Sequence, residues 1–149
     1  MNNCGTIYGV TPQQIIESIK AITETQEYYK RLFIMAPSEE QSGILSKIML
    51  DNIYSLYLLK RLYIGITCTE PNTPPVYPPS FKNYLEGLVQ VKTIEARNMM
   101  YFINFWITIP DIFFTPSITN VRTVFGIPVN NSSIHINYIQ YILTLNLCK

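Results

Sequence analysis

The sequence is poor in the residues from which most active sites are built: one histidine, three cysteines and six glycines in 149 residues. With a single histidine there is little choice of general base, and no Ser/His/Asp or Cys/His spacing stands out. The glycines never cluster into a phosphate-cradling loop. Charged residues make up only 14%, the net charge is +1, and the 11 basic residues form no run, which argues against nucleic acid as a partner. Long apolar runs are missing too. The most apolar segment, residues 99–109, has about half the length needed to span a bilayer and contains Asn104, so no membrane-spanning helix is expected. Cys4, Cys68 and Cys148 are odd in number, far apart and without a C-x-x-C pair. They predict neither a disulfide framework nor a zinc site, and reduced thiols imply a cytoplasmic protein. The stretch MNNCGTIYG has no basic segment followed by an apolar run, unlike a secretion signal.

What the chain has in quantity is apolar and aromatic residues: 48% hydrophobic, with 11 Tyr and 7 Phe. That is more aromatic surface than one small core absorbs, which points to a homodimer. The length suits one domain with a real core.

Helix signals divide it. Thr11 supplies a cap, Pro12 suits the first helical position, and Gln14 completes the capping-box spacing. Ile15, Ile19, Ile22, Tyr29 and Phe33 then share a face until Ala36-Pro37. Ser38, with Gln41 three residues on, opens a second helix expected to stop near Ile64 at Gly65, giving a helical hairpin over about 11–65. Next comes EPNTPPVYPPS, whose five prolines forbid a helix. Ten residues of polyproline geometry, at ~3.1 Å each, cover roughly 30 Å, the length of a ~20-residue helix. Residues 70–80 therefore suit a long crossover along a bundle; the alternative is a simple loop between two halves. A third helix is predicted over 81–109, with Leu85, Leu88, Met99 and Phe102 inward. Residues 110–120 should be loop. A fourth helix is predicted over 117–147, kinked at Pro128, with Val121, Val124, His135, Tyr138 and Ile142 inward. No run has strand period, so residues 1–149 predict a single all-α domain, an antiparallel four-helix bundle.

Each inward face is polar at its middle. In LSKIMLDNIYSLYLLKRLY the seam passes through Asn52 and Ser55; the third helix carries Lys92 and Glu95, the fourth Ser132 and His135, and Glu27 lies at the margin of the first. The spacing of three puts each pair on one face. Such residues either form a buried hydrogen-bond network that fixes register, or mark a site, present or lost.

Helical bundles that hold two metal ions use a Glu from each of two helices and Glu-x-x-His from each of the other two. The chain resembles the ferritin-like, rubrerythrin-type proteins with that pattern eroded. Glu27-Tyr28-Tyr29 and Ala36-Pro37 are similar to the family's first helix. DNIYS, Leu62-Tyr63 and TCTEP stand where the family reads D-E-x-x-H, an Ile/Leu-Tyr pair and T-G-x-x-P. Glu86-Gly87-Leu88, Glu95-Ala96 and Tyr101 resemble the third helix, and NSSIH the fourth helix's D-E-x-x-H. The resemblance spans about Thr11 to Leu145 and implies an antiparallel bundle with a long Pro-rich crossover between helices 2 and 3.

It also implies a ligand set. Glu27, Glu95 and His135 match expected metal ligands, whereas Asn52, Ser55 and Ser132 occupy positions whose ligands are lost. A pair of iron ions needs several anionic oxygens, which neutral amides and hydroxyls do not supply. The expectation is a non-catalytic bundle with a structural or interaction role and no cofactor; the alternative is a single iron or other divalent ion held by the residual ligands, with a redox or storage role. Lys92 lies one turn before Glu95. Its ammonium either replaces the metal as counter-charge for Glu95 and Glu27, or reaches solvent along its stem. An apolar ligand between the helices is a further possibility that the aromatic content allows.

Overall fold

The structure is a computed structural model, and it describes residues 9–109, 113–114 and 119–148. Four α-helices account for most of them: α1 (Pro12–Met35), α2 (Glu39–Thr67), α3 (Tyr84–Thr108) and α4 (Val121–Leu147). Their starts are written locally. The Thr11 hydroxyl accepts from the Gln14 backbone N–H while the Gln14 side chain accepts from the Thr11 N–H, a complete capping box, and Ser38 and Asn83 accept from the N–H groups three residues on.

Some boundaries differ from the sequence reading. Gly65 does not stop α2; the helix runs to Thr67 and Cys68 takes the left-handed cap conformation at φ 56°, on the order of 1 kcal/mol of strain for a residue with a Cβ. The first turn of α3 begins at Tyr84 because Asn83 caps it. Asn120 caps α4, which starts at Val121; the predicted start at Ser117 falls outside the described residues. α4 is continuous through Pro128, which is buried. In the segment read as loop, two-residue strands β1 (Phe113–Phe114) and β2 (Thr119–Asn120) pair antiparallel. Cys68 is disulfide-bonded, to a partner outside the described residues, so the expectation of reduced cysteines fails for it and the cytoplasmic expectation loses that support.

α1 packs beside α2 and α3, and α4 beside the same two, leaving α1/α4 and α2/α3 as diagonals. Neighbours run antiparallel. Arg31, near the end of α1, donates to the carbonyls of Pro79 and Phe81 just before α3, while Asn98, well along α3, reaches back to Thr25 of α1. Gly87 marks the tightest approach, since a Cβ there would stand 2.6 Å from the Phe81 ring and 2.8 Å from Leu32.

The core is divided in two. One cluster, around Ile15, Ile19, Leu59, Phe102, Val121 and Phe125, fills the end where α1 begins. The other, around Tyr29, Leu32, Leu45, Leu88, Val91 and Ile139, fills the opposite end. Each buried Leu or Ile contributes on the order of 2 kcal/mol by leaving water. Residues 68–83, free of helix and strand, link α2, whose last buried residues belong to the first cluster, to α3, whose first belong to the second. No helix among the described residues is long and apolar enough to cross a membrane.

Candidate functional site: a hydrogen-bonded polar centre

Between the two apolar clusters lies a polar layer to which every helix contributes. The burial pattern places it. On α3 the buried positions after Gly87 are 88, 91, 95, 98 and 102, alternating steps of three and four, which seats Glu95 and Asn98 inward. That seam is displaced by one residue from the predicted one at both Lys92 and Met99, and Leu85 is exposed. On α1 the seam turns through Ile22, Thr25, Gln26, Tyr29 and Leu32, leaving Phe33 exposed and Glu27 off the face. Asn52 and Ser55 on α2, and Ser132 and His135 on α4, are buried as predicted, while Tyr138 is only half-buried.

Glu95 is the hub. Its Oε1 accepts from the Tyr29 hydroxyl at 2.7 Å and faces His135 Nδ1 at 2.9 Å; its Oε2 accepts from the Ser132 hydroxyl at 2.7 Å. The other ring nitrogen, His135 Nε2, lies 3.3 Å from Oδ2 of Asp51, whose side chain is about one-third exposed. Carboxylate oxygens only accept, so both histidine contacts are hydrogen bonds together when each ring nitrogen carries a proton. The imidazole thus bridges a buried carboxylate to one at the surface. Tyr29, Asp51, Glu95 and the pair Ser132 and His135 come from α1, α2, α3 and α4 in turn, so one network ties all four helices in register. Burial first, then the Glu95 charge and its hydrogen bond, push the Tyr29 phenol well above its usual range.

Around the hub, Asn98 donates to the Thr25 hydroxyl at 2.9 Å, and Asn131 to the Ser55 hydroxyl at 3.3 Å. Asn52 Nδ2 is buried without a partner. It borders a cavity that gives the centre of a water-sized sphere ≈ 10 Å³. That is too little for an organic molecule at the polar centre; an open cleft of ≈ 610 Å³ lies instead between α3 and α4, lined by Met99, Trp106, Gly126, Ile127 and Val129 among others.

Not every predicted site residue reaches this centre. Glu27 is partly exposed and pairs with Lys30 at 2.6 Å on its own helix, away from Glu95 and His135. Lys92 extends along the outside to the Gln140 side chain on α4 and makes no ion pair with Glu95. Lys92 does not take the counter-charge role expected of it, because position 92 sits one step off the buried seam; the side chain that meets Glu95 from α4 is His135. Five contributors escape the sequence reading, Thr25 and Asn131 among them. Tyr29 reads as a core residue without a polar role, Asp51 as part of a motif without a partner, and nothing singles out Asn98, although its spacing of three from Glu95 puts it on the same face.

The donor set does not fit the metal that the resemblance implies. Glu95 is the one charged residue lining the cavity, its two oxygens already accept from Tyr29 and Ser132, and His135 does not line it. The remaining walls are neutral amides and hydroxyls and the apolar side chains of Ile22, Phe102 and Pro128. Among the described residues no group of three His, Cys, Asp or Glu is arranged to hold a metal ion. No protein-family model, curated protein or solved structure matches this chain.

Proposed function

We infer that the chain is a ferritin-like bundle of the rubrerythrin type in which a self-satisfied hydrogen-bond network replaces the di-metal site, and that it serves as a structural or interaction protein, not as an enzyme. Two features support the ferritin-like part. α2 and α3 lie diagonally and, each antiparallel to α1 and α4, run parallel to one another, an arrangement that calls for a long connection between them. Residues 68–83, with their prolines, join the α2 end in one apolar cluster to the α3 start in the other, which suits a crossover along the bundle.

The observation that carries the non-catalytic part is the closure of the centre: Glu95 and His135, the residual ligands that are buried together, are bound to each other and to Tyr29, Ser132 and Asp51. Single-ion binding through Glu27, Glu95 and His135 would need Glu27 to leave Lys30 and cross the face of α1. Metal analysis of protein purified without chelator, followed by iron loading under air, tests the reading. Substoichiometric metal is expected; a stable one or two irons per chain overturns it.

A further inference from the structure

The outer face of α2 is as unusual as its inner one. Leu50, Ile53, Tyr54 and Tyr57 are each more than half exposed, and Ile64 extends the stripe. They follow helical steps of three and four, so they form one contiguous ridge, and no other helix exposes four large apolar residues so close together. Charge frames the ridge asymmetrically. Glu39 and Glu40 stand exposed at one end, with Glu40 held by the Tyr141 hydroxyl at 2.7 Å. Lys60 and Arg61 stand exposed at the other, with Arg61 held against Tyr57, whose hydroxyl it contacts at 2.9 Å.

We propose that this face is the contact between two copies of the chain, their α2 helices packed antiparallel across a two-fold axis at Leu50. In an isologous helix pair a residue k positions before the axis meets the residue k positions after it. Leu50 is the midpoint between Glu40 and Lys60, and also between Glu39 and Arg61. The register that pairs acidic with basic ends on both sides therefore places Leu50 against its own copy. The same register sets Tyr57 against Gly43 and Ile53 against the stem of Lys47. Gly43 is otherwise unexplained: it lies inside a helix, which glycine weakens, and a Cβ there would meet nothing within 4 Å of its own chain. Opposite a tyrosine ring the missing side chain becomes the space the ring occupies.

The contact specifies the interaction role proposed above, yet it rests on the outside of α2 and not on the polar centre, so retention of metal would leave it standing. Light scattering over a range of concentrations should give wild-type protein at twice the chain mass of 17.2 kDa and Leu50→Glu at the chain mass. The paired variants Glu39→Lys/Glu40→Lys and Lys60→Glu/Arg61→Glu should each be folded by circular dichroism and monomeric alone. Mixed in equal amounts they should form a heterodimer, because every facing end then carries opposite charge. Three results overturn the proposal: a wild type monomeric at all concentrations, a dimer that Leu50→Glu and both reversals leave intact, or folded reversal variants that fail to associate when mixed.

Discussion

The two faces of α2 invert the usual distribution. Its inner seam is polar at the middle, at Asn52 and Ser55, while its outer face at the same height carries Leu50, Ile53, Tyr54 and Tyr57. Elsewhere the helix is ordinary, with Leu45, Ile48, Leu59 and Leu62 buried. Polar side chains inside and apolar ones outside are both unfavourable for an isolated bundle. Inside, part of that cost is offset by the network around Glu95. Outside, no described residue covers the ridge, and a second copy would.

The largest expected effect comes from opening the network at its hub. Glu95→Leu leaves the His135 ring facing Asp51 alone and strips Tyr29 and Ser132 of their acceptor, for a loss of ~3–5 kcal/mol. Adding His135→Leu should recover much of it, because removing both partners of a buried pair costs less than removing one. Urea denaturation of the single and double variants measures the difference.

Alkaline pH should weaken the fold through Tyr29, at the polar centre, and Tyr84, at the start of α3. Burial pushes the Tyr84 phenol up to about 12, and the Tyr29 phenol is raised well above its usual range. Above about pH 10 the unfolded chain releases these protons while the folded one keeps them, so stability is full below that pH and falls as pH rises towards the folded values. The melting temperature should drop across this window, with a shallower drop for Tyr29→Phe.

Smaller effects distinguish satisfied from unsatisfied polarity and inner from outer face. Asn52→Leu removes a buried amide donor that has no partner and should stabilise the fold by ~1 kcal/mol, raising the melting temperature by about 2–4 °C. Gly43→Ala should stabilise the isolated chain by up to ~1 kcal/mol through helix propensity while weakening association, as thermal melts and light scattering would each show. Lys92→Met should change stability by no more than ~0.5 kcal/mol in a thermal melt, since Lys92 contacts Gln140 and not the buried carboxylate.

Much of the architecture was legible from local chemistry. Thr11, Pro12, Gln14 and Ser38 announce the first two helix starts because caps satisfy backbone donors within three residues. Ile15, Ile19, Ile22, Leu45, Ile48, Leu59 and Leu62 announce the buried faces because periodicity is a property of the helix alone. The polarity of Asn52, Ser55, Glu95, Ser132 and His135 was equally readable. Partnership was not. Glu27 and Lys92 sit one or two positions from their seams, and a residue's turn about the helix axis is about 100°, so a one-step error in the seam moves a side chain from centre to surface. Which residues answer Glu95 depends on how far each helix is rotated and slid against its neighbours, and that is decided by packing of the two apolar clusters at either end. The sequence determined four amphipathic helices with polar middles; only the tertiary structure chose Tyr29, Ser132, His135 and Asp51 as the partners, because contacts between residues 37 to 84 positions apart exist only once the helices have docked.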